Sequence, residues 1–362
     1  MSNPLKVGMV GTSGISNRHV TAYVEHPDRV RLTAVCDIVE PLAQEYAKKA
    51  GVKAVYTDYD DMLRNADIDA VDICTGPNFH APLAITAAQA GKHVLTEKPM
   101  GHTLQACRDM IEAADTAGVT LMVAHQLRYS PDATAVKRLI DEGKLGEIVA
   151  ARTHLFTEGT GGKNPPSAAD GGGILLTNSI HHIDLLRYYV GNVKRVSAVC
   201  RSGQPPMQNV AEDLVVANLE FENGAVGDVF AGCTYVFPDR AFYMVLGMGG
   251  TIYSTPSPVM GGPAESPLHH FGPIMYSPRE DLDRQKDSDR QKIVHPPFEP
   301  IDSSGTDLSL NYFVNEILHF EECCRTGKEP LTSGRDNIES MKVVFGILES
   351  SHTGKAVDLA DL

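Results

Sequence analysis

Short apolar runs alternate with amphipathic stretches through the first third of the chain. Residues 6–10, 32–36, 70–74, 93–96 and 120–124 have the length and apolar density of buried strands. Residues 79–90 and 103–117 carry helical periodicity and stop at Gly91 and Gly118. Glycine suits those stops because a helix end turns the chain into the left-handed region that other residues resist. Strand and helix in alternation predict a doubly wound parallel sheet with crossover helices, a Rossmann-type domain over residues 1–126. Ligands bind such a sheet beyond the carboxyl ends of its strands, where Gly11, Asp37, Thr75 and Glu97 fall.

The pattern then changes. Extended segments at 147–156, 193–201, 214–221, 225–235 and 242–246 follow one another through short turns, and Asn223-Gly224 is a strong hairpin signal. With helices at 130–142 and 179–189, and later at 310–325 and 336–353, residues 127–362 read as an α+β domain. It should carry a large, mostly antiparallel sheet with helices on one face. Alternation within 214–221 is partial, so the other face is expected to meet a partner subunit. Residues 256–300 are rich in Pro, Gly, Ser and charge, and read as a surface excursion: a subunit arm, a substrate lid or an insertion without function.

Composition narrows the class of partner. A formal net charge of -14 argues against a nucleic-acid surface or an anionic membrane face, which leaves small molecules. The seven cysteines are scattered without a C-x-x-C pair, so reduced thiols are expected rather than zinc or a disulfide framework, and no metal is implied. No basic-then-apolar leader follows Met1 and no apolar run reaches spanning length, which predicts a cytoplasmic protein.

The first strand runs into Gly11-Thr12-Ser13-Gly14-Ile15-Ser16, and the second ends on Asp37. A strand feeding a glycine turn and a helix aims backbone N–H groups and the positive helix end at one spot, as a pyrophosphate requires. Ser13 and Ser16 replace two glycines of the usual pattern but are small enough for it. Asp37 can accept both ribose hydroxyls and repels a 2′-phosphate, so NAD is expected rather than NADP. Lys98, in Leu95-Thr96-Glu97-Lys98-Pro99-Met100, stands at a strand end and is pinned by proline. It could snorkel to solvent, but a cis Lys98-Pro99 bond would aim its ammonium into the cleft. Gly171-Gly172-Gly173 opens a helix in which Thr177, His181 and Asp184 share a face at α-helical spacing, with His182 rotated by about 100°.

The glycine turn with Ile15-Ser16, the strand-end Asp37, the run Cys74 to His80, Glu97-Lys98-Pro99 and the glycine-triplet helix occur in that order. In this the chain resembles the glucose-fructose oxidoreductase and inositol dehydrogenase family (Gfo/Idh/MocA) over nearly its whole length. The resemblance implies an NAD(P)-dependent oxidoreductase acting at a carbon of a sugar, sugar derivative, glycoside or cyclitol, its second domain an open-faced sheet for substrate binding and oligomerisation, assembled as a homodimer or homotetramer through the sheets. Lys98 then binds the reacting hydroxyl and His181 transfers its proton. Thr177 stands where many members have aspartate, and Asp184 helps orientation. Thr75, Gly76, Pro77, Asn78, His80, Glu97 and Gln126 match positions near the cofactor. His125, Arg128, Asn178 and Arg152, the last on the first strand of the second domain and facing the same cleft, match the substrate side. In a chain without Trp, Tyr235, Phe237 or Tyr312 could stack on a sugar. Two alternatives within the fold are a redox glycosidase that recycles NAD and a silent NAD-binding regulator.

Overall fold

The computed structural model describes residues 3–12, 14–157, 172–203, 211–233, 241–255, 271, 273–279, 297–303, 308–309 and 311–362. Ser13, Gly171, Tyr235, Phe237 and most of 256–300 lie outside them. The chain forms two units, the first from Met1–Tyr129 and Asn311–Lys342, the second mainly from Ser130 to Leu310 and Val343–Leu362.

The first unit holds β1 (Leu5–Val10), α1 (Ser16–Glu25), β2 (Val30–Cys36), α2 (Glu40–Ala50), β3 (Ala54–Tyr56), α3 (Tyr59–Asn65), β4 (Ala70–Ile73), α4 (His80–Gln89), β5 (His93–Glu97), α5 (Leu104–Ala117) and β6 (Leu121–Ala124). Its six strands are all parallel in the order β3-β2-β1-β4-β5-β6, the doubly wound Rossmann arrangement. Every residue of β4 and β6 is buried, because helices cover both faces of a parallel sheet. α5 shows how local signals fix an element. Thr103 caps its start by accepting from the Ala106 N–H, Cys107, Met110 and Ala114 form its buried stripe, and Gly118 ends it at φ +66°.

The second unit contains α6 (Pro131–Asp141), β7 (Ile148–Thr157), α7 (Ile180–Val190), β8 (Val193–Arg201), β9 (Leu214–Phe221), β10 (Val226–Cys233), β11 (Ala241–Gly247), β12 (Gly250–Ser254), β13 (Ile274–Pro278) and β14 (Glu299–Pro300). α8 (Tyr312–Thr326) and the start of α9 (Gly334–Thr353) return to the first unit, and β15 (Val357–Asp358) closes the second. Nine strands form one sheet in the order β14-β13-β12-β11-β7-β10-β9-β8-β15, antiparallel throughout except where β10 runs parallel to β7. β7 is therefore central, and period-two alternation assigns its side chains to faces. Ala151, Thr153 and Leu155 are buried on the face that α7 covers, while Arg152 and His154 point the other way.

In the first unit α8 packs on α1. Arg29 of the α1–β2 turn reaches Glu321 and the Leu318 carbonyl, and Asn315 Nδ2 donates to the Tyr129 carbonyl at 2.9 Å. Val314, Ile317 and Phe320 are buried on α8, each worth about 1.5–3 kcal/mol relative to exposure. Among the described residues, no helix is long and apolar enough to cross a membrane.

Candidate active site

The glycine turn leaves β1 where its neighbour β4 also ends. Gly11 sits at φ +83°, and a Cβ there would lie 2.7 Å from the Cys74 carbonyl oxygen, so the two strand ends approach too closely for any side chain. Among the described residues, α1 has no side-chain cap at its start and no acid in its first turn, which leaves the helix end open to an anion. Asp37 is fixed beside it: one carboxylate oxygen accepts from the Thr12 N–H at 2.9 Å and from its hydroxyl at 2.8 Å, the other from the Val39 N–H at 2.9 Å. A carboxylate has about four acceptor directions and three are taken here, so one remains for a ribose hydroxyl.

These groups border a cleft of about 480 Å³ lined by Gly11, Gly14, Ile15, Asp37, Thr75 and Gly76 together with Ile38, Tyr59, Phe79 and Leu83. The last four were not singled out in the sequence. Ile38 is 89% exposed and Phe79 59%, an unusual exposure for large apolar side chains on a folded surface and suited to the flat face of a base. The residues present thus fit a dinucleotide.

Further along the same sheet edge, Pro77 and Asn78 form a short 3-10 turn into α4. The buried His80 ring joins two loops, with Nδ1 2.8 Å from the Pro99 carbonyl oxygen and Nε2 3.1 Å from that of Thr75. Burial pulls its pKa below the ordinary imidazole value, and the two carbonyls oppose the shift. The Lys98-Pro99 peptide is cis. Lys98 follows β5 directly; burial lowers the pKa of its ammonium and the Glu97 carboxylate works the other way. Glu97 Oε2 accepts from the Lys98 N–H at 3.1 Å. His125 and Gln126 are buried just after β6. Arg128 is buried as well, paired at 2.8 Å with Asp336 and donating to the Leu331 carbonyl, which ties the segment after β6 to the start of α9 in the first unit.

In the second unit, the segment Leu175–Ser179 is wound as π-helix before α7 begins. The four residues from Thr177 to His181 therefore cross a π-turn, and the α-helical spacing argument for a shared face does not carry over. The Thr177 hydroxyl donates to the Gly173 carbonyl at 2.8 Å, so toward a substrate it offers a lone pair; Asn178 Nδ2 lies 3.4 Å from it. His181 is 4% exposed in the first turn of α7. Its neighbour His182 is anchored in the sheet, Nδ1 to Thr153 Oγ1 at 2.9 Å, and Thr153 in turn donates to the Phe242 carbonyl. Asp184 lies 4.0 Å from Arg187, which holds Asn192 at 2.7 Å, a helix-anchoring arrangement.

Glu212 was not anticipated from the sequence. Its carbonyl accepts from the Ile174 N–H and its carboxylate from the Leu175 N–H at 3.0 Å, so it caps the segment leading to His181. Burial raises its pKa while backbone N–H donors to the carboxylate, that of Leu175 foremost, lower it. A Cβ on Gly173 would fall 2.2 Å from the Glu212 carbonyl oxygen, which accounts for glycine there. The structure corrects two expectations. Arg152 lies on the sheet face opposite α7, ion-paired with Asp228 at 3.2 Å, because one residue along a strand reverses the side-chain direction. Tyr312 is buried against Phe313, its hydroxyl pKa pushed up to about 12 chiefly by burial, and presents no open ring to a sugar.

A model of the oxidoreductase family's NAD-binding Rossmann fold, GFO_IDH_MocA, matches residues 5–125, and a model of its C-terminal alpha/beta domain matches residues 137–359. The chain belongs to the Gfo/Idh/MocA family. As a member it is an NAD-dependent oxidoreductase, its cofactor NAD. The scyllo-inositol 2-dehydrogenase (NAD(+)) of Bacillus subtilis (strain 168) is 26% identical over 99% of this chain and 97% of its own length. The levoglucosan dehydrogenase of Pseudarthrobacter phenanthrenivorans is 30% identical over 63% of this chain and 67% of its own. The crystal structure of the WlbA dehydrogenase from Bordetella pertussis in complex with NADH and UDP-GlcNAcA superposes with a TM-score of 0.78 at 26% identity, covering 98% of this chain and 99% of that one.

Proposed function

We propose that this Gfo/Idh/MocA protein oxidises a secondary hydroxyl, or reduces the corresponding ketone, of a sugar, sugar derivative, glycoside or cyclitol. The observation that carries the reading is Lys98: a lysine at the carboxyl end of a buried parallel strand, on the edge that also bears the dinucleotide cleft. The substrate class is supported by the scyllo-inositol and levoglucosan dehydrogenases among the relatives.

Gly11, Thr12, Gly14, Ile15 and Asp37 would hold the adenosine and pyrophosphate of NAD, and Thr75, Gly76, Pro77, Asn78, His80, Glu97 and Gln126 its nicotinamide side. When bound, NAD supplies the acceptor for the hydride leaving the alcohol carbon. The Lys98 ammonium donates to the substrate oxygen and stabilises the alkoxide as the O–H proton departs. His181 takes that proton at neutral pH and returns it in the reductive direction. Thr177 and Asn178 orient neighbouring hydroxyls, Thr177 as an acceptor, and His125 joins them on the substrate side.

A second copy of this chain is the proposed cover for the open face of the nine-stranded sheet. Val199 and Val216 are 68% and 48% exposed there, beside a row in which His154 stacks on Phe242 at 5.3 Å and Phe156 meets Phe230 edge-on at 4.8 Å. Sedimentation should give a mass of two or four chains; the mass of one overturns this assembly.

Incubation with NAD and a panel of sugars, glycosides and inositols, read by nicotinamide absorbance in both directions, tests the activity. Reduced nicotinamide formed in step with ketone product is the expected result. Substrate consumed with no net reduction, or no member of the panel turned over despite tight NAD binding, contradicts it.

A further inference from the structure

Beneath the cofactor edge, five elements of the first unit, α1, α2, β4, β5 and α8, enclose a polar cluster. His19 of α1 and Asp72 of β4 are fully buried side chains, and Glu97 at the end of β5 is 5% exposed. The imidazole lies between the two acids: Nδ1 is 2.9 Å from Asp72 Oδ2 and Nε2 is 3.1 Å from Glu97 Oε1. The Tyr23 hydroxyl donates to the same Asp72 oxygen at 2.7 Å, and the Cys74 thiol lies 3.5 Å from Asp72 Oδ1 and 3.6 Å from His19 Nδ1. From α2, the Tyr46 hydroxyl donates to the Ser16 carbonyl at 2.7 Å; from α8, the Phe313 ring stands 5.8 Å from the imidazole.

We infer that His19 is an imidazolium that holds Asp72 through one nitrogen and Glu97 through the other, and is thereby a positioning residue for Lys98. A neutral imidazole has one N–H, so it would turn a lone pair toward one of the two carboxylates, deep in the protein where such a clash is unscreened. A doubly protonated ring donates to both. The formal charges then balance, Asp72 and Glu97 against His19 and Lys98. Burial pulls the His19 pKa down, but Asp72 and Cys74 outweigh it and the net shift is well upward. The link to Lys98 runs through one carboxylate: Glu97 Oε1 is fixed by His19 while Oε2 accepts from the Lys98 N–H. Both oxygens being tied, the plane of Glu97 and the main chain entering Lys98 are held together.

His19, Asp72 and Cys74 also have potential ligand atoms within 4.8 Å of one another. Each nitrogen of the ring is nevertheless at hydrogen-bonding distance from a carboxylate oxygen, and Tyr23 shares the Asp72 oxygen, so the arrangement is that of a protonated network rather than a cation site.

The charge of His19 is independent of the proposed function; its positioning role rests on that function. In full-length protein labelled with ¹⁵N at histidine, an imidazole with both nitrogens protonated should persist at about pH 8, where ordinary histidines, titrating near 6.5, are neutral. That signal should be missing in His19→Gln. A wild-type spectrum without any imidazolium at that pH overturns the inference, whether or not variants fold. For positioning, the Gln side chain can replace the donor toward Glu97, and that of Asn the donor toward Asp72. His19→Gln should therefore keep a kcat on the order of tenfold above that of His19→Asn, with NAD affinity within about threefold of wild type in both. Equal kcat values, or Asn the better, would overturn the positioning role. Full activity in Lys98→Met would defeat the proposed function while leaving the nitrogen spectrum to decide the charge of His19.

Discussion

The edge of the parallel sheet and the helix-covered face of the antiparallel sheet build their sites in different ways. At the parallel edge the backbone does most of the placing: Gly11 lets β1 pass against the Cys74 carbonyl, and His80 joins the Thr75 and Pro99 carbonyls. Side chains there are tied at several atoms, as Asp37 is to Thr12 and Val39. On the second sheet, position depends on which face a residue meets. Thr153 holds His182 while its neighbour Arg152 pairs with Asp228 on the other side. Sites made by main-chain turns declare themselves through glycine and proline; sites made by facing side chains depend on register.

The comparison can be broken at either end. Its largest expected effect is at His181: His181→Asn should lower kcat by about 10²–10⁴ with NAD affinity retained, as removal of a general base does, and rapid turnover would return the histidine to a packing role. Asp37→Ala removes a charged acceptor worth about 1.5–3 kcal/mol. The NAD-over-NADP preference in kcat/KM should fall roughly ten- to a hundredfold, and an unchanged ratio would place the ribose elsewhere. Gly173→Ala should cost about 1–3 kcal/mol in denaturant unfolding, since its Cβ would meet the Glu212 carbonyl. Arg152→Ala should leave kcat/KM within about twofold, an exposed ion pair being worth roughly 0–1 kcal/mol; a tenfold loss would put it back in the substrate cleft.

A pH series sharpens the account of the buried edge. Burial lowers the His19 pKa, but Asp72 and Cys74 raise it more, so its folded value lies above the unfolded one. Its contribution is then complete below about pH 6.5 and lost as pH rises through the raised value. Denaturant midpoints of wild type and His19→Gln should differ most on the acidic side and converge in alkali; a gap that widens with pH contradicts the sign.

Much of the fold was legible because period and punctuation agreed. The segments ending at Gly91 and Gly118 are helices, and Asn223-Gly224 joins β9 to β10. β12 and β13 escaped notice, lying among Gly, Ser and Pro without a clear alternation. The central place of β7, parallel to β10, has no local signal, since it is set by pairing across some 75 residues. For the same reason Arg152 was assigned to the wrong face. Glu212 caps the α7 segment from 37 residues away, and only the glycine at 173 hinted that something must approach closely. Ile38 and Phe79 gained meaning once their exposure was seen beside Asp37 and Thr75.

The central claim is that Lys98 stabilises the oxygen from which hydride chemistry starts. NAD affinity and turnover measured side by side in Lys98→Met test it most directly, once the panel has supplied a substrate. Binding within about threefold of wild type, with turnover lower by on the order of 100-fold or more, is the predicted result. Near-normal turnover in that variant would remove the lysine from the chemistry.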